Sequence, residues 1–140
     1  MQPQMQGMPH VARPANMMSF MDATKSCFQQ YVGFSGRASR SEYWWFVLAT
    51  GIAGFVAGFL DAIIFGPELS DPAWISFALN LGLFLPILCV IFRRLHDHSK
   101  SGWNVLWVLT GIGTFYILYL MIVDGEAHDN AYGAVPTNTL

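Results

Sequence analysis

Three apolar runs constrain this chain more than any other feature. Trp44–Phe65 carries one charged group, Asp61, while Trp74–Phe92 and Trp103–Val123 carry none. As a helix, each run of about 20 residues is roughly 30 Å long, enough to cross the hydrocarbon core of a bilayer. Each is apolar all round, whereas a helix on a soluble core needs only one apolar face. Charged residues are 11% of the 140-residue chain, against roughly 25% in soluble proteins. The expected fold class is therefore all-α, a polytopic membrane protein with three transmembrane helices at 44–65, 74–92 and 103–123. Pro86 falls inside the second span, where a membrane helix tolerates it with a kink.

The charges between the runs set an expected orientation. All seven cations (Arg13, Lys25, Arg37, Arg40, Arg93, Arg94 and Lys100) precede the first run or separate the second from the third. Only Asp22, Glu42 and Asp97 accompany them. Glu68 and Asp71 in the first loop, and Asp124, Glu126 and Asp129 after the third run, have no cation beside them. The positive-inside rule then places the N-terminus and the second loop in the cytoplasm, and the first loop and the C-terminus outside.

Before the first span, Ser19 and Asp22 form a capping pair at the start of a helix. Phe20, Thr24, Cys27, Phe28 and Tyr31 recur at helical spacing, opposite Asp22, Lys25, Ser26, Gln29 and Gln30. This predicts an amphipathic interfacial helix over 19–32, stopped by Gly33 and lying along the membrane surface. Ser39 and Glu42 make a second capping box, with Arg37 and Arg40 beside Tyr43, Trp44 and Trp45 as an interface marker. Residues 1–15, rich in Gln, Pro and Met, read as a disordered tail with no cleaved signal peptide. Residues 16–136 read as one membrane domain and 137–140 as a tail end. Cys27 and Cys89 fall in different environments, so neither a disulfide nor a metal site is expected from them.

Two polar constellations stand out. Arg37, Arg40, Glu42, Arg93, Arg94, His96 and Asp97 share the expected cytoplasmic face. They suit a polar network bracing the interfacial helix, or a contact for anionic lipid headgroups. Within the membrane, Asp61, Asn80 and Tyr119 fall at similar depth if all three runs cross, which predicts a polar cluster. Asp61 also shares a helix face with Gly54 and Gly58, a surface for close helix approach. His96-Asp97-His98 is a poor zinc signal without further ligands, so no metal or other cofactor is expected. The chain has no phosphate-binding glycine loop, nucleophile elbow or HExxH, and no nucleic-acid module.

The stretches Phe34-Ser35-Gly36-Arg37-Ala38-Ser39-Arg40-Ser41-Glu42-Tyr43-Trp44, Arg93-Arg94-Leu95-His96-Asp97 and Ser101-Gly102-Trp103 occur in that order. Gly125 and Asn130-Ala131-Tyr132-Gly133 follow. In these the chain resembles the YhaH/YhaI-like family of small bacterial inner-membrane proteins, whose function is unknown, over about Ser19 to Pro136. It departs from that pattern at Ser99 and Asn104, where Gly and Trp are usual. The resemblance implies a multi-pass protein of the bacterial inner (plasma) membrane and brings no activity with it. The expected function is non-enzymatic: binding of membrane lipids, of another copy in a homo-oligomer, or of a partner membrane protein. The alternative is an oligomeric ion or small-solute channel or transporter subunit that uses Asp61.

Overall fold

A computed structural model describes residues 18–68 and 72–136. The predicted tails at 1–15 and 137–140 lie outside the described residues, as do Arg13 and Asp71. The described residues form four α-helices and one 3₁₀-helix: α1 (Phe20–Gln29), α2 (Arg40–Ile64), α3 (Trp74–Asp97), the 3₁₀-helix Gly102–Thr110, and α4 (Ile112–Ile122).

Among the described residues, α2 and α3 are the two helices long and apolar enough to cross a membrane. At 25 and 24 residues they extend about 37 Å and 36 Å. Ser39 caps α2 with its hydroxyl, which accepts from the Glu42 N–H at 3.1 Å. This cap starts the helix at Arg40, four residues before the apolar run begins. The start of α3 has no side-chain cap of its own at Ala73. Asp61, near the end of α2, supplies one instead: its two carboxylate oxygens accept from the N–H groups of Ile75 and Ser76, each at 2.8 Å. A buried carboxylate on the free N–H groups of a helix start satisfies donors that lipid would leave orphaned. Asp61 therefore ties the far ends of α2 and α3 together.

Pro86 has a matching consequence within α3. Proline has no N–H, so the carbonyl four residues earlier, that of Gly82, loses its intrahelical donor. The Tyr31 hydroxyl donates to this carbonyl, and the Cys89 thiol donates to the Tyr31 carbonyl at 3.4 Å. Tyr31 follows α1, so α1 is more than a helix resting on a surface. It buries Ala23 and Cys27 against the pair, sets Phe20 edge-on to Trp45 and Phe28 edge-on to Phe46, and leaves Met21, Asp22 and Lys25 exposed.

The third expected span is not one helix. The 3₁₀-helix runs nine residues from Gly102 and stops at Gly111, whose φ of +71° turns the chain back. The 11-residue α4 then returns. Both arms are short, about 18 Å and about 17 Å, against roughly 30 Å of bilayer core. Gly113 lets the arms touch, because a Cβ there would lie 2.0 Å from the Trp107 carbonyl oxygen. Thr110 closes the turn: its hydroxyl donates to the Trp107 carbonyl at 2.8 Å and accepts from the Gly113 N–H at 3.0 Å. The Thr114 hydroxyl donates to the Val108 carbonyl at 3.1 Å.

The hairpin brings α4 back to where the 3₁₀-helix began. The Trp44 indole N–H donates to the Met121 carbonyl at 3.1 Å, and His98 Nε2 lies 2.7 Å from the Leu120 carbonyl oxygen. Leu95, Ile117, Leu120 and Met121 form a buried cluster there, beside a second made of Cys27, Ala38, Phe46 and Val90. The segment after α4 lies at the Arg37 and Arg93 end of the helix pair, whereas a single helix over 103–123 would carry it to the other end.

Candidate functional site

The polar network sits at that end and is built from four parts of the chain. Gly36, at φ +87°, makes the turn that brings Arg37 and Ala38 onto α3, where the Ala38 N–H donates to the Arg93 carbonyl at 3.0 Å. Helix α3 runs five residues past its apolar run, so Arg93, Arg94, His96 and Asp97 are helical and one turn deep against α2. Glu42, in the first turn of α2, faces them.

Two ion-paired units result. In the first, Arg93 Nη1 donates to Glu42 Oε1 at 2.6 Å. The same oxygen accepts from the Ser26 hydroxyl at 3.0 Å and the Cys27 thiol at 3.8 Å. Burial, then the charge of Glu42, push the Cys27 thiol up to about 12, so it remains a thiol at neutral pH. In the second, Asp97 accepts from Arg37 Nε and Nη2 at 3.0 and 2.8 Å and from Arg94 Nη1 at 2.5 Å. Arg37 also donates to the carbonyls of Glu126 at 2.7 Å and His128 at 2.8 Å, and Arg94 to that of Val123. Arg37, Glu42, Arg93, Arg94, His96 and Asp97 are all buried. Three guanidiniums face two carboxylates, and the carbonyl oxygens of the C-terminal segment take up the surplus positive charge.

That segment is the part of the site that sequence reasoning missed. It was expected on the other side of the membrane because it is acidic. Here one of its acids pairs, with Arg40 Nε 2.8 Å from Asp124 Oδ1, and its backbone docks as well, the Glu126 N–H donating to the Asp97 carbonyl at 2.9 Å. Gly125 must be glycine, because a Cβ would lie 1.8 Å from Asp97 Oδ2. Asn130 Nδ2 donates to the His96 carbonyl at 2.9 Å, and Tyr132 stacks flat on the His96 ring with centroids 4.0 Å apart. The Glu126 carboxyl is desolvated, but hydrogen bonds from Ser99 and Asn130 and the charges of His128 and Arg37 outweigh that and hold it below the usual carboxylate range. Burial, then the positive charge of Arg94, lower His98 below the usual histidine range. One signal pointed here: Gly125 and the Asn130–Gly133 run recur with the Arg93–Asp97 stretch in a single pattern.

Of the predicted site residues, all seven of the network come together, Arg40 at its half-exposed edge. They turn inward onto protein partners, while Lys25 and Lys100 are exposed cations. The predicted cluster of Asp61, Asn80 and Tyr119 does not form. Asp61 caps α3, exposed Asn80 donates to its own helix at the Ser76 carbonyl at 2.7 Å, and the hairpin carries exposed Tyr119 to the other end of the pair. Among the described residues no group of three or more His, Cys, Asp or Glu is placed to hold a metal ion. His96 Nδ1 lies 3.0 Å from the Gly36 carbonyl oxygen while His98 turns to Leu120, so the two rings diverge.

A helical protein with two apolar spans and an internally neutralised polar end belongs among small integral membrane proteins, and comparison narrows this. A family described as "Protein of unknown function (DUF805)" matches residues 31–134, and the chain belongs to that family. It is similar to the inner membrane protein YhaI of Escherichia coli (strain K12), 39% identical over 112 residues, 79% of this chain and 92% of that protein. The inner membrane protein YhaH of the same strain is 35% identical over 117 residues, 83% of this chain and 97% of that protein. No solved structure matches the chain. These relatives and the two apolar helices fit a bacterial inner membrane.

Proposed function

We propose that this is a non-enzymatic inner-membrane protein that crosses the bilayer twice, dips into it once more, and works by binding membrane lipid. In this reading α2 and α3 span, and the Gly102–Ile122 hairpin enters from the cytoplasmic side and returns. Both ends of the described chain are then cytoplasmic.

The observation that carries the reading is the grip of Arg37 on Asp97 and on the Glu126 and His128 carbonyls. It puts the start of α2, the end of α3 and the C-terminal segment at one end of the helix pair. That end holds Arg37, Arg40, Arg93 and Arg94, and the cation-rich end of a bilayer protein faces the cytoplasm. The hairpin tip is suited to lipid, since its Leu109, Ile112 and Phe115 are 83%, 84% and 75% exposed while Thr110 and Thr114 satisfy its backbone groups. The buried network supports a fastening role rather than catalysis, because its charged groups are engaged with one another and with backbone carbonyls.

Topology reporters test this. Alkaline phosphatase fused after Lys100 and at Leu140 should be inactive, and green fluorescent protein at both sites should fluoresce. An active phosphatase at Leu140 overturns the reading.

A further inference from the structure

We propose that the C-terminal segment 124–133 is a cover over a phosphate site, and that a phosphomonoester at the membrane surface takes Arg37, Arg40 and Arg94 when the cover lifts. The inference deepens the lipid-binding reading above by giving it a site and a gate. It starts from a charge imbalance. Arg93 and Glu42 form a neutral pair. Arg37, Arg40 and Arg94 have one carboxylate among them on the helix pair, that of Asp97. Three positive charges less one leave a surplus of two. The cover brings two negative charges to cancel it: Asp124 pairs with Arg40 at 2.8 Å, and the charge of Arg37 acts on the Glu126 carboxyl. Asp129 turns to its own segment, where it accepts from the Val135 N–H at 3.0 Å.

The way the cover is held makes it replaceable. Apart from Asp124, the groups set directly on these arginines are backbone carbonyls. Val123 takes Arg94, Ile122 takes Arg40 at 3.2 Å, and Glu126 and His128 take Arg37 at 2.7 and 2.8 Å. A charged oxygen on the same N–H groups makes a hydrogen bond roughly twice as strong as a neutral one. The cover also has no anchor in the core, since no residue from 124 to 136 is buried. It docks through polar contacts such as the Glu126 N–H on the Asp97 carbonyl and through the flat stack of Tyr132 on His96. Segments with few buried apolar contacts open at the low end of a protein's range of local stabilities.

Lifting the cover frees N–H groups of three guanidiniums in one place, with the surplus of positive charge unmatched. A phosphomonoester carries about −1.5 to −2 at neutral pH and three acceptor oxygens, so it replaces both the charge and the acceptors that the cover withdraws. A phosphodiester, with a single charge, replaces less. The guanidinium fork suits pairs of phosphate oxygens. The depth suits a headgroup as well: Arg40 stands four residues before Trp44, where the apolar run begins, roughly 6 Å along the helix. The same chemistry is offered by a lipid, phosphatidic acid, and by a soluble molecule, glycerol phosphate.

The test is amide hydrogen exchange of residues 124–133 in the full chain, held in phosphatidylcholine nanodiscs. The probes are phosphatidic acid or phosphatidylglycerol in the bilayer at matched surface charge, and glycerol phosphate in solution. Phosphatidic acid should quicken the exchange several-fold, and phosphatidylglycerol much less. Gly125→Ala loosens the cover without changing any charge. It should bind phosphatidic acid about tenfold more tightly, because apparent affinity is reduced by the fraction of molecules that are uncovered. Adding Arg40→Gln at the edge of the site should take back about fivefold of that gain. Exchange left unchanged or slowed by both phosphomonoesters overturns the proposal, and this readout needs no variant to fold. Equal binding by the original chain and Gly125→Ala overturns it too, as do equal effects of the two lipids, which would mark surface charge alone. If glycerol phosphate lifts the cover and phosphatidic acid does not, the phosphate site stands and the lipid-binding reading falls.

Discussion

Replacing Tyr31 with Phe removes one hydroxyl and leaves the Gly82 carbonyl without a donor. Its cost depends on Pro86, and that dependence makes it measurable. With proline at 86 the usual helical donor to Gly82 is missing, and the Tyr31 hydroxyl donates to that carbonyl. An interhelical hydrogen bond in a membrane protein averages about 0.6 kcal/mol, and leaving a carbonyl unpaired in lipid adds to that. Tyr31→Phe should therefore cost about 1 kcal/mol. Pro86→Ala supplies an N–H at position 86 that can close the helical bond to Gly82. In that background Tyr31→Phe should cost no more than about 0.3 kcal/mol, the additivity error of a double-mutant cycle. The assay is unfolding of the four proteins by denaturing detergent in mixed micelles, read by circular dichroism. Amide hydrogen exchange at residues 86–90 serves as a second readout. Equal costs of Tyr31→Phe in both backgrounds would refute the reasoning, because the hydroxyl would then be acting elsewhere.

Glu42→Gln should cost about 3–5 kcal/mol, since it leaves the Arg93 charge buried without its partner; Glu42→Gln with Arg93→Met should recover part of that, and both are read by the same unfolding assay. Gly125→Ala should release the C-terminal segment, because its Cβ would meet Asp97 Oδ2 at 1.8 Å and two arginines hold that carboxylate still; limited proteolysis after Val123 checks it. Acid should loosen the same segment. Both His98 and Glu126 are lowered in the folded state, so the stability each contributes is present above its unfolded pKa and falls away as pH drops through the folded one. Hydrogen exchange of residues 124–133 should therefore quicken as pH falls below about 6.5 for His98, and again below about 4.3 for Glu126, after correction for intrinsic rates, and His98→Gln should remove the first step. Cys27, held as a thiol with its pKa near 12, should resist maleimide at pH 8 until the protein is unfolded, as mass spectrometry would show.

How much of this was legible in the sequence depends on which physical signal each feature leaves. Spans α2 and α3 were legible because length and hydropathy are what a bilayer selects for. The seven-residue network was legible because cations at the ends of apolar runs have few places to go. The hairpin was hidden by the same logic. The Trp103–Val123 run has the length and hydropathy of a span, and two arms that turn at Gly111 present lipid with the same side chains. What separates the cases is backbone geometry: the positive φ of Gly111, the contact that only Gly113 permits, and hydroxyls at Thr110 and Thr114 placed to close a turn. Glycine and threonine are common in membrane helices, so none of these marks a turn alone. Charge was ambiguous for a related reason. Asp124 and Glu126 read as a separate acidic tail if acids are only counted, yet Asp124 pairs with Arg40 and the Glu126 carboxylate takes Ser99 and Asn130 while its backbone carbonyl takes Arg37. Orientation rules weigh cations in short loops and give acids little weight. An acidic segment therefore carries little evidence of its side, and where it can reach an unsatisfied arginine, the arginine decides.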